Sequence, residues 1–128
     1  MSVSPDEALI ATLIRTYFDS MFESSKDKVD ASFHPNAVIA GIFQGKFVEM
    51  SRDEFGQFVA RNQPSAKESG DTARLDIISI DIAGNTAVAL VRDDYLGSTF
   101  LDTLSLIKLH DQWSISVSYT HLRAHETK

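Results

Sequence analysis

The sequence predicts an α+β fold in which helices pack on one face of a curved antiparallel sheet. Apolar residues recur at helical spacing near the N-terminus, whereas the second half consists of strand-like runs separated by short turns. Helices followed by an antiparallel meander are typical of this class. The chain has 128 residues, a length that suits one domain.

The first helix has a well-marked start. Ser4 and Glu7 form a capping box, and Pro5 stands at the first helical position. The residues that then recur at helical spacing predict an apolar stripe about four turns long: Leu9, Ile10, Leu13, Ile14, Tyr17, Phe18, Met21 and Phe22. The polar residues 26–32 predict another turn or two of helix.

The remaining elements follow from turn and capping signals. Ser51 and Glu54 form a second capping box, which predicts a helix that ends before Pro64. Residues 63–71 are rich in Ser, Gly and Lys and predict a loop. Turn-like connections separate the predicted strands, which span residues 37–43, 46–50, 74–82, 86–95 and 99–110, with a last strand from residue 113 onward.

Composition excludes several classes of function. Twelve basic against eighteen acidic residues leave a net charge of −6, which argues against nucleic acid and anionic membranes as partners. The absence of cysteine excludes disulfides, thiol catalysis and cysteine-bound zinc. No apolar run approaches the roughly 20 residues of a membrane span. Because the N-terminus lacks the layout of a secretory signal, we expect a cytoplasmic protein.

The strand predicted over residues 99–110 is apolar on both faces. Phe100, Leu104 and Leu106 share one face with Asp102, while the other face also carries leucine and isoleucine. An antiparallel sheet with one face in water does not show this pattern. We therefore expect a homodimer through the outer face of the sheet, the alternative being a monomer with a local apolar excess.

Two side chains are candidates for chemistry. Asp102 has apolar neighbours on its face, so its carboxyl needs a partner or keeps its proton. The alternative is an aspartate near a strand end that reaches solvent. Tyr17 lies within the stripe of the first helix, where its hydroxyl needs a partner. That partner is either a ligand or a backbone carbonyl.

The histidines do not predict a metal site. His34 precedes Pro35 and suits a turn, although it is also a candidate for the pocket. His121 and His125 have a spacing that could hold a metal on a helix. However, residues 118–127 resemble the translation of a sequencing-library adapter. We therefore expect a native domain over residues 1–117, a non-native tail over 118–128, and no metal.

The order of motifs resembles the nuclear transport factor 2-like superfamily, and within it the small bacterial proteins of the putative lumazine-binding branch. The matching motifs are FHPNAVI, SRDEF, IISIDIAGNTAVALV, FLDTLSLIK and a closing W-S-I. The resemblance covers about residues 5 to 116. It implies a strongly curved antiparallel sheet that wraps around the N-terminal helices as a cone, with an internal pocket and dimerisation through the outer face.

The same superfamily contains ketosteroid isomerases, polyketide cyclases and scytalone-type dehydratases. In this resemblance, Tyr17 and Asp102 match the isomerases' oxyanion-binding tyrosine and protonated aspartate, a pair known for a carboxyl kept neutral by an apolar site. The place of the general-base aspartate falls at Ala40 or Gly41, and neither can accept a proton. We expect the pocket to include six further residues, namely Phe18, Phe33, His34, Phe100, Leu104 and Trp113.

Two functional hypotheses follow. The first is a domain that binds a small apolar or aromatic molecule, which Tyr17 and Asp102 orient. The second is an isomerase, cyclase or dehydratase that acts on a carbonyl or phenolic substrate with an unidentified base. The missing base favours the first, since general-base catalysis is typically worth about 10²–10⁴-fold. A plugged cone that serves dimerisation alone is a third possibility. No hypothesis requires a cofactor.

Overall fold

The computed structural model describes residues 4–43 and 45–122 and shows three helices and a six-stranded curved sheet. The predicted α+β class is confirmed. In chain order the elements are α1 (Pro5–Phe22), α2 (Lys26–Ser32), β1 (Phe33–Phe43), β2 (Lys46–Ser51), α3 (Arg52–Arg61), β3 (Leu75–Ala83), β4 (Thr86–Tyr95), β5 (Ser98–Leu109) and β6 (Gln112–Leu122).

Local capping chemistry determines where two helices begin. The Ser4 hydroxyl accepts a hydrogen bond from the backbone N–H of Glu7, which is one half of the capping box predicted for α1. Ser51 and Glu54 form the complete reciprocal capping box at α3. The predicted apolar stripe of α1 is wrong at Leu9, whose side chain is 54% exposed because it lies beside the buried face rather than on it.

The sheet has the strand order β2-β1-β6-β5-β4-β3. All neighbours pair antiparallel in the described part of the chain except β1 and β6, which run parallel. This parallel pair departs from a purely antiparallel meander. It arises because β6 extends the meander of β3, β4 and β5 and pairs along its other edge with β1, which runs in the same direction. β1 also begins at Phe33, four residues earlier than predicted.

The core lies between the inner face of the sheet and the helices. Ile10 and Ile14 of α1 are fully buried there, together with Val59 of α3 and Leu104 of β5. On β5 the inner residues, Asp102 among them, are buried, while the intervening residues are half-buried on the outer face. In the described residues, no helix is long and apolar enough to cross a membrane.

The segment expected to be a non-native tail overlaps β6. Residues 118–122 continue the strand, and Ser118 is fully buried. His121 is exposed at the end of β6 and pairs with Ile42 of β1 and Leu101 of β5. His125, the other member of the rejected metal pair, lies outside the described residues, as does Gln44 of the predicted β1–β2 turn.

Candidate functional site

A cavity of about 460 Å³ lies between the inner face of the sheet and helices α1 and α3. Its walls are mainly aromatic and aliphatic, and the few polar groups converge at one place. The lining residues are Tyr17, Met21, Ile39, Phe43, Val48, Met50, Phe55, Phe58, Asp93, Tyr95, Leu96, Phe100, Asp102 and Thr120. Apolar walls with a few convergent polar groups are typical of small-molecule sites.

Tyr17 and Asp102 meet in this cavity. The Tyr17 hydroxyl donates a hydrogen bond of 2.6 Å to Oδ2 of Asp102, and both side chains are almost fully buried. The helical stripe of α1 turns Tyr17 toward the sheet, while the alternation of β5 turns Asp102 toward the helices. The hydroxyl of Tyr17 therefore bonds to a carboxyl and not to a backbone carbonyl, and Asp102 is not in solvent.

Asp93 is a third polar side chain of the site, and the sequence analysis missed it. It is only 1% exposed, and neither of its carboxyl oxygens has a hydrogen-bond partner among the described residues. Its neighbour Asp94 faces the opposite side of β4. The signal was available in the alternation of β4, where Ala89 and Val91 are buried on the same face as Asp93.

The two aspartates lie side by side. Val91 pairs with Asp102 across β4 and β5, and Asp93 pairs with Phe100, so the aspartates occupy diagonal positions on one face. Diagonal neighbours in a sheet are close enough for side chains to interact. Oδ1 of Asp102, like both oxygens of Asp93, has no partner among the described residues.

Burial shifts the protonation equilibria of all three groups. Burial and the nearby Asp102 carboxylate raise the pKa of Asp93 to about 10. Burial also raises the pKa of Asp102, although the hydrogen bond that Tyr17 donates opposes the shift. Burial and the two carboxyls raise the pKa of Tyr17 well above its ordinary value. The pair of aspartates therefore carries a proton at neutral pH.

Among the six further residues expected to bind a ligand, Phe100 alone lines the cavity in the described structure. Phe33 lies directly behind the wall, where its ring makes edge contacts with Tyr17 and Phe55. Phe18 stacks on Phe22, and Leu104 is fully buried in the core. These side chains support the site without reaching the cavity.

His34 and Trp113 lie elsewhere. His34 Nδ1 accepts a hydrogen bond from the backbone N–H of Asn36, which is the turn role predicted as its alternative. The Trp113 indole donates to Oδ1 of Asp6 at 3.1 Å. Trp113 precedes the cavity residue Thr120 by seven positions on β6, which corresponds to about 23 Å of extended strand. Trp113 therefore does not line the cavity, although the sequence analysis expected it to.

Ala40 and Gly41, to which the resemblance assigns the isomerases' general base, have no side chain that accepts a proton. Gly41 lies on the cavity side of β1, between the lining residues Ile39 and Phe43. A Cβ atom at Gly41 would lie 2.6 Å from the carbonyl oxygen of Thr120. Ala40 alternates with these residues and faces the other side of the sheet. No aspartate could replace either residue and reach the cavity without moving a strand.

Solved structures resemble the whole chain. A nuclear transport factor 2-like protein of unknown function from Silicibacter pomeroyi has 22% identity and a TM-score of 0.84 over 96% of this chain and 100% of its own. A similar protein from Methylobacillus flagellatus has 25% identity and a TM-score of 0.81, with coverage of 94% and 95%. A cystatin-like domain of unknown function from Nostoc punctiforme has 18% identity and a TM-score of 0.69, with coverage of 94% and 78%.

The family comparison agrees with the fold. No match was found among curated proteins. Residues 5–119 match the sequence profile of the family described as "Putative lumazine-binding". The match covers nearly all of the described chain, including every helix and most of β6. The chain therefore belongs to this putative lumazine-binding family, and its fold is that of nuclear transport factor 2-like proteins.

Proposed function

We propose that the chain binds a small apolar or aromatic molecule in the cavity and that Tyr17 and Asp102 orient it. The observation that carries this proposal is the convergence of these two polar groups on an otherwise apolar cavity of about 460 Å³. This volume falls within the range of roughly 300–1,000 Å³ that is usual for ligand sites. The family's description also supports small-molecule binding.

The walls and the polar groups have separate roles. Phe43, Phe58 and Phe100 present aromatic surface, whose burial against a ligand favours binding but does not fix its orientation. Asp102 still has one free oxygen, because Tyr17 occupies only Oδ2. A ligand that donates a hydrogen bond to Oδ1 satisfies this buried acceptor, which is otherwise costly. Orientation therefore comes from one donor on the ligand.

The test compares naphthol with naphthalene, which have the same ring system and differ by one hydroxyl. Titration calorimetry should show naphthol binding about tenfold more tightly, since the hydroxyl satisfies a buried acceptor. Asp102→Asn should reduce this difference, because the amide changes the acceptor and its bond to Tyr17. Asp111→Asn, in an exposed turn, is the matched control. The absence of binding by both compounds would refute the proposal.

An isomerase, cyclase or dehydratase is a second candidate, and Asp93 is the observation that favours it. The resemblance supplied no base on β1, but β4 places a second carboxyl beside Asp102. A pair that holds one proton contains both a donor and an acceptor. Such a pair could protonate one atom of a substrate and accept a proton from another.

Turnover distinguishes the two candidates. Proton exchange and dehydration are measured on a panel of ketones and phenols, with wild-type protein and with Asp93→Asn and Asp102→Asn. An enzyme should show turnover that both substitutions abolish. A binding protein should retain naphthol and show no turnover above that of the substituted proteins.

The outer face of the sheet supports a homodimer as part of this proposal. Ile42 and Val88, both outside the expected non-native tail, are 49% and 47% exposed on this face, and large apolar side chains that are exposed together mark interaction surfaces. A second copy would cover them. Sedimentation at micromolar concentration should find a dimer, and Val88→Lys should increase the monomer fraction. Leu9→Lys, at an exposed position on α1, is the control, and a monomeric wild type would contradict the dimer.

A further inference from the structure

The buried aspartate pair determines which ligand charge the cavity favours. Asp93 and Asp102 are each 1% exposed and face one cavity from neighbouring strands. Three of their four carboxyl oxygens have no hydrogen-bond partner among the described residues. Buried polar atoms without partners are rare in native proteins, because each costs the desolvation of that atom. The single proton that the pair holds can serve two of these oxygens, so at least one oxygen still indicates a missing donor.

Within the part of the chain that the structure describes, no cationic side chain lines the cavity beside the pair. Among the described lining residues there is no lysine, arginine or histidine. Arg92 is the neighbour of Asp93 on β4, but it faces the outer side of the sheet, where its guanidinium lies 3.6 Å from Asp76. An anionic ligand would therefore meet two acidic groups and no compensating charge. Such a ligand is disfavoured in a low-dielectric cavity.

The other titratable groups around the pair do not supply a positive charge. Tyr17 from α1 and Tyr95 from β4 face the cavity, and both are neutral when protonated. Helix α3 and strands β1, β2 and β6 contribute apolar side chains and Thr120 to the described lining. Aromatic rings also favour a cation placed over their faces. The aromatic walls and the aspartate pair thus both favour a cationic ligand.

We infer that Asp93 and Asp102 form a subsite for a nitrogen group of the ligand that donates N–H bonds, such as an amidinium, a protonated amine or an amino-substituted heterocycle. Its N–H groups bond to the free oxygens of both aspartates. When the group is cationic, the proton held by the pair leaves to solvent as the cation enters, so the charge of the site is conserved. This inference rests on the proposed function, since it concerns the same cavity.

The test uses three naphthalene derivatives of nearly the same shape, namely the carboxamidine, the carboxamide and the carboxylate. Calorimetry at neutral pH should give the order carboxamidine, carboxamide, carboxylate, with at least about a tenfold difference between first and last. Repeating the carboxamidine titration in two buffers of different ionisation enthalpy should show net proton release. Equal or tighter binding of the carboxylate would overturn the inference.

Two variants connect this preference to the pair. Asp93→Asn should lower carboxamidine affinity about tenfold, abolish proton release and leave carboxamide affinity nearly unchanged. Asp94→Asn is the matched control, because Asp94 faces away from the cavity and accepts a hydrogen bond from Thr99. Unchanged carboxamidine affinity in Asp93→Asn would overturn the inference. Since this variant removes a buried acid, we expect it to fold, and circular dichroism verifies that.

The failure of this inference is distinguishable from the failure of the proposed function. If naphthol binds but the carboxamidine is not preferred over the carboxylate, the inference alone is wrong. If naphthol, naphthalene and all three derivatives fail to bind, both are wrong. A carboxamidine preference that Asp93→Asn removes supports both.

Discussion

Asp93 lies diagonally across from Asp102 on the neighbouring strand, and both carboxyls are buried on the inner face of the sheet. Neither can be ionised without raising the cost of ionising the other, because the two charges would share a site that excludes water. The pKa of Asp93 is accordingly raised to about 10 by burial and by Asp102. The two groups titrate as one unit.

The first prediction concerns the pH dependence of stability. The folded state holds a proton on Asp93 that the unfolded chain, with an ordinary pKa of 3.8, releases. The free energy of unfolding should therefore be highest in acid and fall as pH rises between about 4 and about 10, by up to about 1.4 kcal/mol per pH unit. Asp102 contributes in the same direction, since its pKa is also raised by burial.

Urea unfolding at about pH 5, 7 and 9 measures the slope of the unfolding free energy against pH. Asp93→Asn should flatten it and stabilise the protein most at the alkaline end, because the amide never ionises. Asp94→Asn should keep the wild-type slope. A wild-type slope near zero across the window, or an identical slope in Asp93→Asn, would contradict the interpretation of the pair.

The second prediction concerns the hydrogen bond of Tyr17. Tyr17→Phe keeps the ring in the core but leaves Oδ2 of Asp102 without its 2.6 Å donor. A lost hydrogen bond to a charged or partly charged group costs about 1.5–3 kcal/mol. Denaturant unfolding at neutral pH should show this loss, and it should shrink in acid as Asp102 takes up a proton.

Tyr119→Phe is the control for this substitution. Tyr119 is 57% exposed on the outer face, so its change should stay within about 0.5 kcal/mol. Equal effects of the two substitutions would show that the Tyr17 hydroxyl contributes nothing specific.

The third prediction concerns Trp113, which connects the start of β6 with the start of α1. Its indole donates to Asp6, and its ring lies 5.7 Å from the ammonium group of Lys108. Trp113→Phe should destabilise the fold by about 1–2 kcal/mol, because the smaller ring leaves a void. Naphthol affinity, measured on the same sample by calorimetry, should be unchanged. A loss of affinity without a loss of stability would place Trp113 in the binding site after all.

Features with a local cause were predictable from the sequence. The starts of α1 and α3 depend on a serine and on a glutamate three positions later, and the alternation of β5 depends only on the period of a strand. Asp102 and Tyr17 could be singled out because each polar group interrupts an apolar pattern. These features need no knowledge of which strands are neighbours.

The remaining features of the fold and of the site depend on how strands are paired across the sheet. Asp93 is next to Asp102 only because β4 and β5 pair with Val91 opposite Asp102, a register that depends on the turn between the two strands. Trp113 was expected in the pocket, but the cavity is lined by Thr120, at the other end of β6. The parallel pairing of β1 with β6 likewise depends on closure of the whole sheet.

The final prediction concerns Gly41, where β1 passes close to β6. A Cβ atom there would lie 2.6 Å from the backbone carbonyl of Thr120, a distance that real Cβ atoms do not adopt. Gly41→Ala should therefore separate the two strands and cost about 1–3 kcal/mol of unfolding free energy, as overpacking usually does. Ile42→Ala, one position along and exposed on the outer face, should cost less.

Gly41→Asp extends this prediction to function. The substitution places a carboxyl at a position that the resemblance assigns to the isomerases' base, yet it carries the same Cβ clash and adds a buried charge. We expect lower stability than in Gly41→Ala and no gain of proton exchange on ketones. A stable Gly41→Asp protein with turnover would show that this cavity lacks only a base on β1. It would also show that Asp93 does not act as the general base.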